Sequence, residues 1–254
     1  MLEMLKIKQE AKDIENNRTK IIAFLSNNSA TLKSPQFTSI STADLALLFK
    51  LYDDVFFQNW FRDHFRGKMK FSLSRKMTKS AGKTMCPKNI GRIRQEDLVL
   101  EIRLGVDFFL NYGHHSQNNT VCGLKTESGL EALLLVFEHE LCHVLEFLLF
   151  NKSSCKGKRF KTMANNAFGH TDSYHKLPTN RQIAAKVFGF KLGDTVAFDF
   201  KERRLTGFLH NINKRATVLV PDRKGSLVDT RGTRYSKYYV PLTKLQAGGE
   251  IIKV

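Results

Sequence analysis

Residues 136–147 read "VFEHELCHVLEF", and this stretch decides the fold. His139 and His143 are four residues apart. On a helix that spacing stacks two imidazoles on one face, one turn apart, where both reach a single ion. Glu140 follows about 100° around the helix from His139, so its carboxylate is free to take a proton from zinc-activated water instead of binding the metal. Zinc supplies the acidity, bringing the pKa of water to about 7 and polarising a carbonyl. The chemistry expected is hydrolysis of an amide, with Glu140 as general base and then proton donor.

Working outward, "SGLEALLLVFEHELCHVLEFLLF" opens on Ser128 and Glu131, an S-x-x-E capping box. Apolar residues then surround the axis on nearly every side, which predicts a central, buried helix. Burying three ionisable groups in such a helix is costly unless something compensates them. A metal does so; a polar stripe satisfied by hydrogen bonds alone is the competing reading. Glu146 shares the histidine face, either to orient a ligand imidazole or as a solvated helix-end residue. Cys142 lies on another face and reads as a small buried hydrophobe.

Upstream, residues 1–40 read as a short helix and a loose linker. Leu45, Leu48, Tyr52, Val55 or Phe56, and Trp60 recur at helical spacing within 41–65, capped by Ser41 or Thr42. Phe71 and Leu73 alternate with polar residues as in a half-exposed strand. "DLVLEIRLGV" turns Leu98, Leu100, Ile102 and Leu104 one way and Val99, Glu101 and Arg103 the other. "NYGHHSQNNT" reads as loop, and "KRFKTMANNAFG" as a helix closed by Gly169. After "HKLPTNRQIAAKV" (175–187) the character changes to short strands divided by Gly, Asn, Asp and Pro, the pattern of a small β-barrel.

The formal charge of the 254 residues is +17. An excess of that size favours a polyanionic partner, nucleic acid first. Between Arg66 and Arg94 there are 10 Lys/Arg and no Asp or Glu, and from Arg181 onward 15 Lys/Arg stand against 6 Asp/Glu. Arg75, Lys76, Lys79 and Lys83 in the first stretch, and Arg203, Arg204, Lys214 and Arg215 in the second, are the candidate phosphate contacts. Tyr235, Tyr238 and Tyr239 interleave with charge as stacking platforms or as core, while Phe208 reads as core. The 4 cysteines form no CxxC pair, which argues against a disulfide framework and for a reducing compartment. The mixed-charge N-terminus lacks the apolar core of a secretory signal, and no apolar run approaches the ~20 residues of a membrane span. A soluble protein of cytosol or nucleus, not secreted, is expected.

The order of these pieces resembles the SprT-like (Spartan-type) zinc metalloprotease family over about residues 45–176. The likeness rests on "LYDDVFFQNWF", "SLSRKMTKSAGKTM", "LVLEIRL", "FEHELCHVLEF" and "GKRFKTMANNAFGHTD". The terminal strands resemble the SH3-like barrel attached to some members. The resemblance implies an α+β, minimal zincin-like domain over 41–178, with a small antiparallel sheet and the HExxH helix, followed by a small basic β-barrel over 179–254. It further implies zinc held by three histidines and proteolysis stimulated by DNA. Two ligands carry over to His139 and His143, and the base to Glu140. The third, in the family a histidine directly before a glycine, falls on Lys156-Gly157. Three alternatives follow: Cys155, one residue away and a strong ligand as thiolate; His170 or His175; or no replacement. Two functions are thus open: a zinc endopeptidase acting on DNA-associated or DNA-crosslinked proteins, or an inactive SprT-like scaffold that binds nucleic acid.

Overall fold

The computed structural model describes residues 8–112, 120–177, 179–213 and 215–248, and the chain divides into two compact units, 1–177 and 178–254. In the first unit, α1 (Ala11–Asn28) lays Ile14, Ile21 and Leu25 on the core. Residues 29–40, read as a loose linker, bury Ser29, Leu32 and Phe37. Ser29 and Thr31 donate hydroxyl hydrogen bonds to Asp44, and Ser41 closes a capping box on the same carboxylate at the start of α2 (Thr42–Phe57).

The single helix expected through residue 65 is broken. Gln58 and Asn59 take positive φ (51° and 62°), a conformation that ends a helix. Asp53 then caps α3 (Trp60–His64), accepting the Phe61 and Arg62 amide N–H groups at 2.8 and 2.9 Å.

Three strands follow: β1 (Lys68–Ser74), β2 (Gly82–Met85) and β3 (Val99–Gly105), in the order β1-β3-β2; β2 is antiparallel to β3 but β1 is parallel to it, so the sheet is mixed where an antiparallel one was expected. Leu100, Ile102 and Leu104 are fully buried, and Val99, Glu101 and Arg103 lie on the more exposed face. After α4 (Val106–Leu110) comes the stretch 111–120 read as loop, of which 113–119 lie outside the described residues, and its last residue, Thr120, opens a hairpin of β4 (Thr120–Val121) and β5 (Leu124–Lys125). Its turn is Cys122-Gly123, both at positive φ (53° and 80°), as a type I′ turn requires.

The motif helix is α5 (Gly129–Phe150), where between Gly129 and Glu146 every residue but Glu131 and His143 is buried. Ser128 accepts the Glu131 N–H as expected, but Glu131 returns its carboxylate to the amide of Glu127, not Ser128. α6 (Lys158–Phe168) ends at left-handed Gly169, and β6 (His175–Lys176) pairs with β4, setting His175 beside Val121.

The second unit holds α7 (Asn180–Phe188) and an antiparallel six-stranded sheet: β7 (Thr195–Phe200), β8 (Arg203–Ile212), β9 (Ala216–Pro221), β10 (Leu227–Val228), β11 (Arg234–Val240) and β12 (Gln246–Ala247). The order is β10-β11-β9-β8-β7-β12, and among the described residues no pairing joins the two edge strands into a closed barrel. Val196, Phe198, Leu209, Ile212 and Val218 form its core. Phe208, read as core, is 37% exposed; its side chain stands on the outer face beside the Tyr235 ring. All four cysteines are free thiols, and no described helix is long and apolar enough to cross a membrane.

Candidate metal centre

α5 delivers His139 and His143 to the floor of a cleft of about 440 Å³. Their Nε2 atoms are 3.1 Å apart. Phe160 of α6 packs against both rings, at 4.8 and 4.5 Å between centroids. The tautomer of His143 follows from its partners. Ser153 donates its hydroxyl hydrogen to Glu146 at 2.7 Å, so its oxygen accepts from His143 Nδ1 at 2.6 Å. With Nδ1 protonated, Nε2 presents a lone pair to His139. Two imidazole nitrogens directed at one point 3.1 Å apart repel unless a cation or proton lies between them, and tetrahedral zinc would space them about 3.3 Å apart.

Burial, reinforced by the neighbouring His175, His143 and His170, holds His139 far below the usual imidazole range. Burial likewise brings His143 down to about 4, against the opposing pull of Glu146. Both rings are therefore neutral at neutral pH, the form that binds metal. Glu146, one of the two readings left open above, orients His143 through Ser153 and is itself fixed by Arg159 at 2.7 Å and by the Ser154 N–H at 2.9 Å.

The loop after α5 turns Cys155 towards the histidines and leaves Lys156 exposed. One donor atom each from His139, His143 and Cys155 lie within 4.8 Å of one another, so this set fits a zinc ion with a short inward movement of the thiol. His170 is committed elsewhere, its Nε2 lying 2.8 Å from Glu138. His175 borders the cleft with its ring 4.5 Å from His139.

Glu140 is set by the edge strand β2. Thr84 donates its hydroxyl to the Glu140 carboxylate at 2.7 Å. Gly82 is needed for that approach, since a Cβ there would lie 2.6 Å from Glu140 Oε1 and 2.8 Å from Val136. Burial raises the Glu140 carboxyl to about 7, although the Thr84 hydrogen bonds pull the other way. A carboxylate tuned there is suited to proton transfer near neutrality.

Thr84 was invisible as a site residue in the sequence. No local pattern marked it, because its partner Glu140 lies 56 residues along the chain.

The basic candidates divide. Lys79 and Lys83 are exposed on the cleft rim. Arg75 lies 3.6 Å from Asp107 and Lys76 is exposed nearby. Arg203, Arg204 and Arg215 are exposed in the second unit, and Lys214 lies outside the described residues. Tyr239 is 62% exposed, while Tyr238 packs on the core.

No curated protein and no solved structure matches the chain. The family model described as SprT-like matches residues 45–182, more than half of the chain, and the chain therefore belongs to the SprT-like family.

Proposed function

We propose that this protein is a zinc-dependent endopeptidase acting on DNA-associated or DNA-crosslinked proteins. One observation carries the reading: two neutral imidazoles converge through Nε2 atoms 3.1 Å apart in a cleft that also holds Glu140 and Cys155. His139, His143 and Cys155 would hold the ion. When bound, zinc supplies Lewis acidity to water and to a scissile carbonyl. Glu140 takes a proton from the attacking water and delivers it to the leaving amine nitrogen. Thr84 keeps the accepting carboxylate oriented, and Ser153 with Glu146 keeps the His143 lone pair directed inward. β2 is the edge strand beside the cleft, so an extended substrate chain has unpaired backbone groups to align on.

The DNA component of the proposal draws on the +17 charge, on Lys79 and Lys83 at the rim, and on the second unit, which we read as an SH3-like module whose outer face carries Phe208, Tyr235 and Tyr239. The alternative, an inactive scaffold that binds nucleic acid, draws on Lys156 standing where the family histidine is expected.

The test is purified full-length chain assayed for zinc content, for salt-sensitive DNA binding and for cleavage of a DNA-bound protein. Zinc at one per chain with cleavage lost in Glu140→Gln and in Cys155→Ala supports the peptidase. DNA binding without cleavage by the zinc-loaded wild type replaces it with the scaffold reading.

A further inference from the structure

His139 has two ring nitrogens, and the cleft uses one. Nε2 faces His143; Nδ1 lies 3.8 Å from the Cys122 thiol. Three elements converge on that inner side. The β4–β5 turn supplies Cys122, α5 supplies His139, and β6 supplies His175. The turn is held firmly: the Cys122 N–H donates to Tyr174 at 2.9 Å, and its carbonyl accepts from Thr171 and Asp172, both at 3.0 Å. Cys122 is a non-glycine residue at φ 53°, a conformation maintained only where the surroundings fix it.

Two features on this inner side lack an account in the site already described. Nε2 of His175 is buried and has no hydrogen-bond partner among the described residues, which is uncommon for a polar side-chain atom and calls for a ligand. One donor atom each from Cys122, His139 and His175 also lie within 4.8 Å of one another. A cysteine and two histidines are a recurrent ligand set for zinc, with donors about 3.3–3.6 Å apart around a tetrahedral ion. The inner group therefore needs only a small contraction.

We propose that Cys122, His139 and His175 form a second metal position, selective for a thiophilic divalent ion such as zinc. On binding, the Cys122 thiol proton leaves to solvent as the sulfur–metal bond forms. A neutral imidazole has a single lone pair, so His139 serves the outer set through Nε2 or the inner set through Nδ1. The two positions are alternatives, and the chain binds one ion at a time. An ion in the inner set is held without His143 and Cys155, which makes it a resting position from which metal is retained when the outer set is damaged.

The experiment uses the full-length His143→Ala/Cys155→Ala variant, titrated with Co(II) under reducing conditions and followed by visible and near-ultraviolet absorption. The inner set predicts one Co(II) per chain with a thiolate-to-metal charge-transfer band. Adding Cys122→Ser abolishes that band, and adding His175→Gln weakens binding at least tenfold. The Gln variant also keeps the test usable if the serine variant does not fold, as judged by circular dichroism. A folded double variant that binds no Co(II), or a thiolate band that survives Cys122→Ser, overturns the proposal. Because these variants lack the outer donors, failure here leaves the peptidase reading standing, and loss of cleavage in Glu140→Gln tests that reading separately.

Discussion

Glu138 and Glu140 are two residues apart on one helix, and both are buried, yet their environments pull them in opposite directions. Burial alone would raise both carboxyls. Around Glu138 it is outweighed: Arg18 clamps both oxygens at 2.8 and 2.6 Å, Tyr52 donates at 2.8 Å and His170 lies at 2.8 Å. Its carboxyl is held below the ordinary range. Around Glu140, among the described residues, the hydrogen-bond partner is the neutral Thr84 and no cation, and burial wins. The lesson is that depth does not set a carboxyl's behaviour; the charge brought to it does. Glu138 ties α1, α2, α5 and the segment after α6 into one structure. Glu140 is left uncompensated, which is unfavourable for stability and useful for moving protons.

The comparison can be broken most sharply at Glu140. Its replacement by Gln should lower proteolysis about 10²–10⁴-fold, the usual contribution of a general base, with zinc content unchanged; kinetics and metal analysis on one preparation check both. The same substitution should remove a pH dependence. A folded-state carboxyl raised to about 7 contributes stability at low pH that is lost as pH rises from the ordinary carboxyl range through that value. Denaturation of the metal-free wild type should show this slope, and the Gln variant should lack it.

At Glu138 the prediction is reversed in kind. Gln leaves the Arg18 cation without its partner and should cost about 3–5 kcal/mol of stability, read by chemical denaturation. The wild-type contribution has the opposite pH sign: it is present above the ordinary carboxyl range and lost as pH falls below it.

Smaller effects sharpen the contrast. Gly82→Ala forces a Cβ against Glu140 and Val136 and should destabilise by about 1–3 kcal/mol, with a fall in turnover that Ala at exposed Gly189, also on the protein, does not reproduce. Thr84→Val removes the hydroxyl that reaches the Glu140 carboxylate at 2.7 Å and its backbone carbonyl at 3.1 Å, worth about 1 kcal/mol. It should reduce activity less than Glu140→Gln and extend the fall in stability to higher pH, since the lost bond favoured the charged carboxyl.

Much of this was legible along the chain because it depends on local periodicity. The position and burial of α5, the alternation in β3, the Ser41 and Ser128 caps and the pairing of His139 with His143 all follow from residues within a turn or two of each other. The break at Gln58-Asn59 and the return of Glu131 to Glu127 were not, because either alternative satisfies the same local pattern. The partners of Glu138 were equally hidden: Arg18, Tyr52 and His170 come from three other segments, and a lone Glu in an apolar run does not say which cation reaches it.

The sequence by itself therefore determined the family, the motif helix and the histidine pair with the adjacent Glu140, since helical geometry sets where those side chains project. Only the tertiary structure decided which residues join them. A loop, a hairpin turn and two strands brought Cys155, Cys122, His175 and Thr84 to the helix; Cys155 and His175 were candidates among others along the chain, Cys122 and Thr84 were not, and the field at each carboxylate follows from that packing.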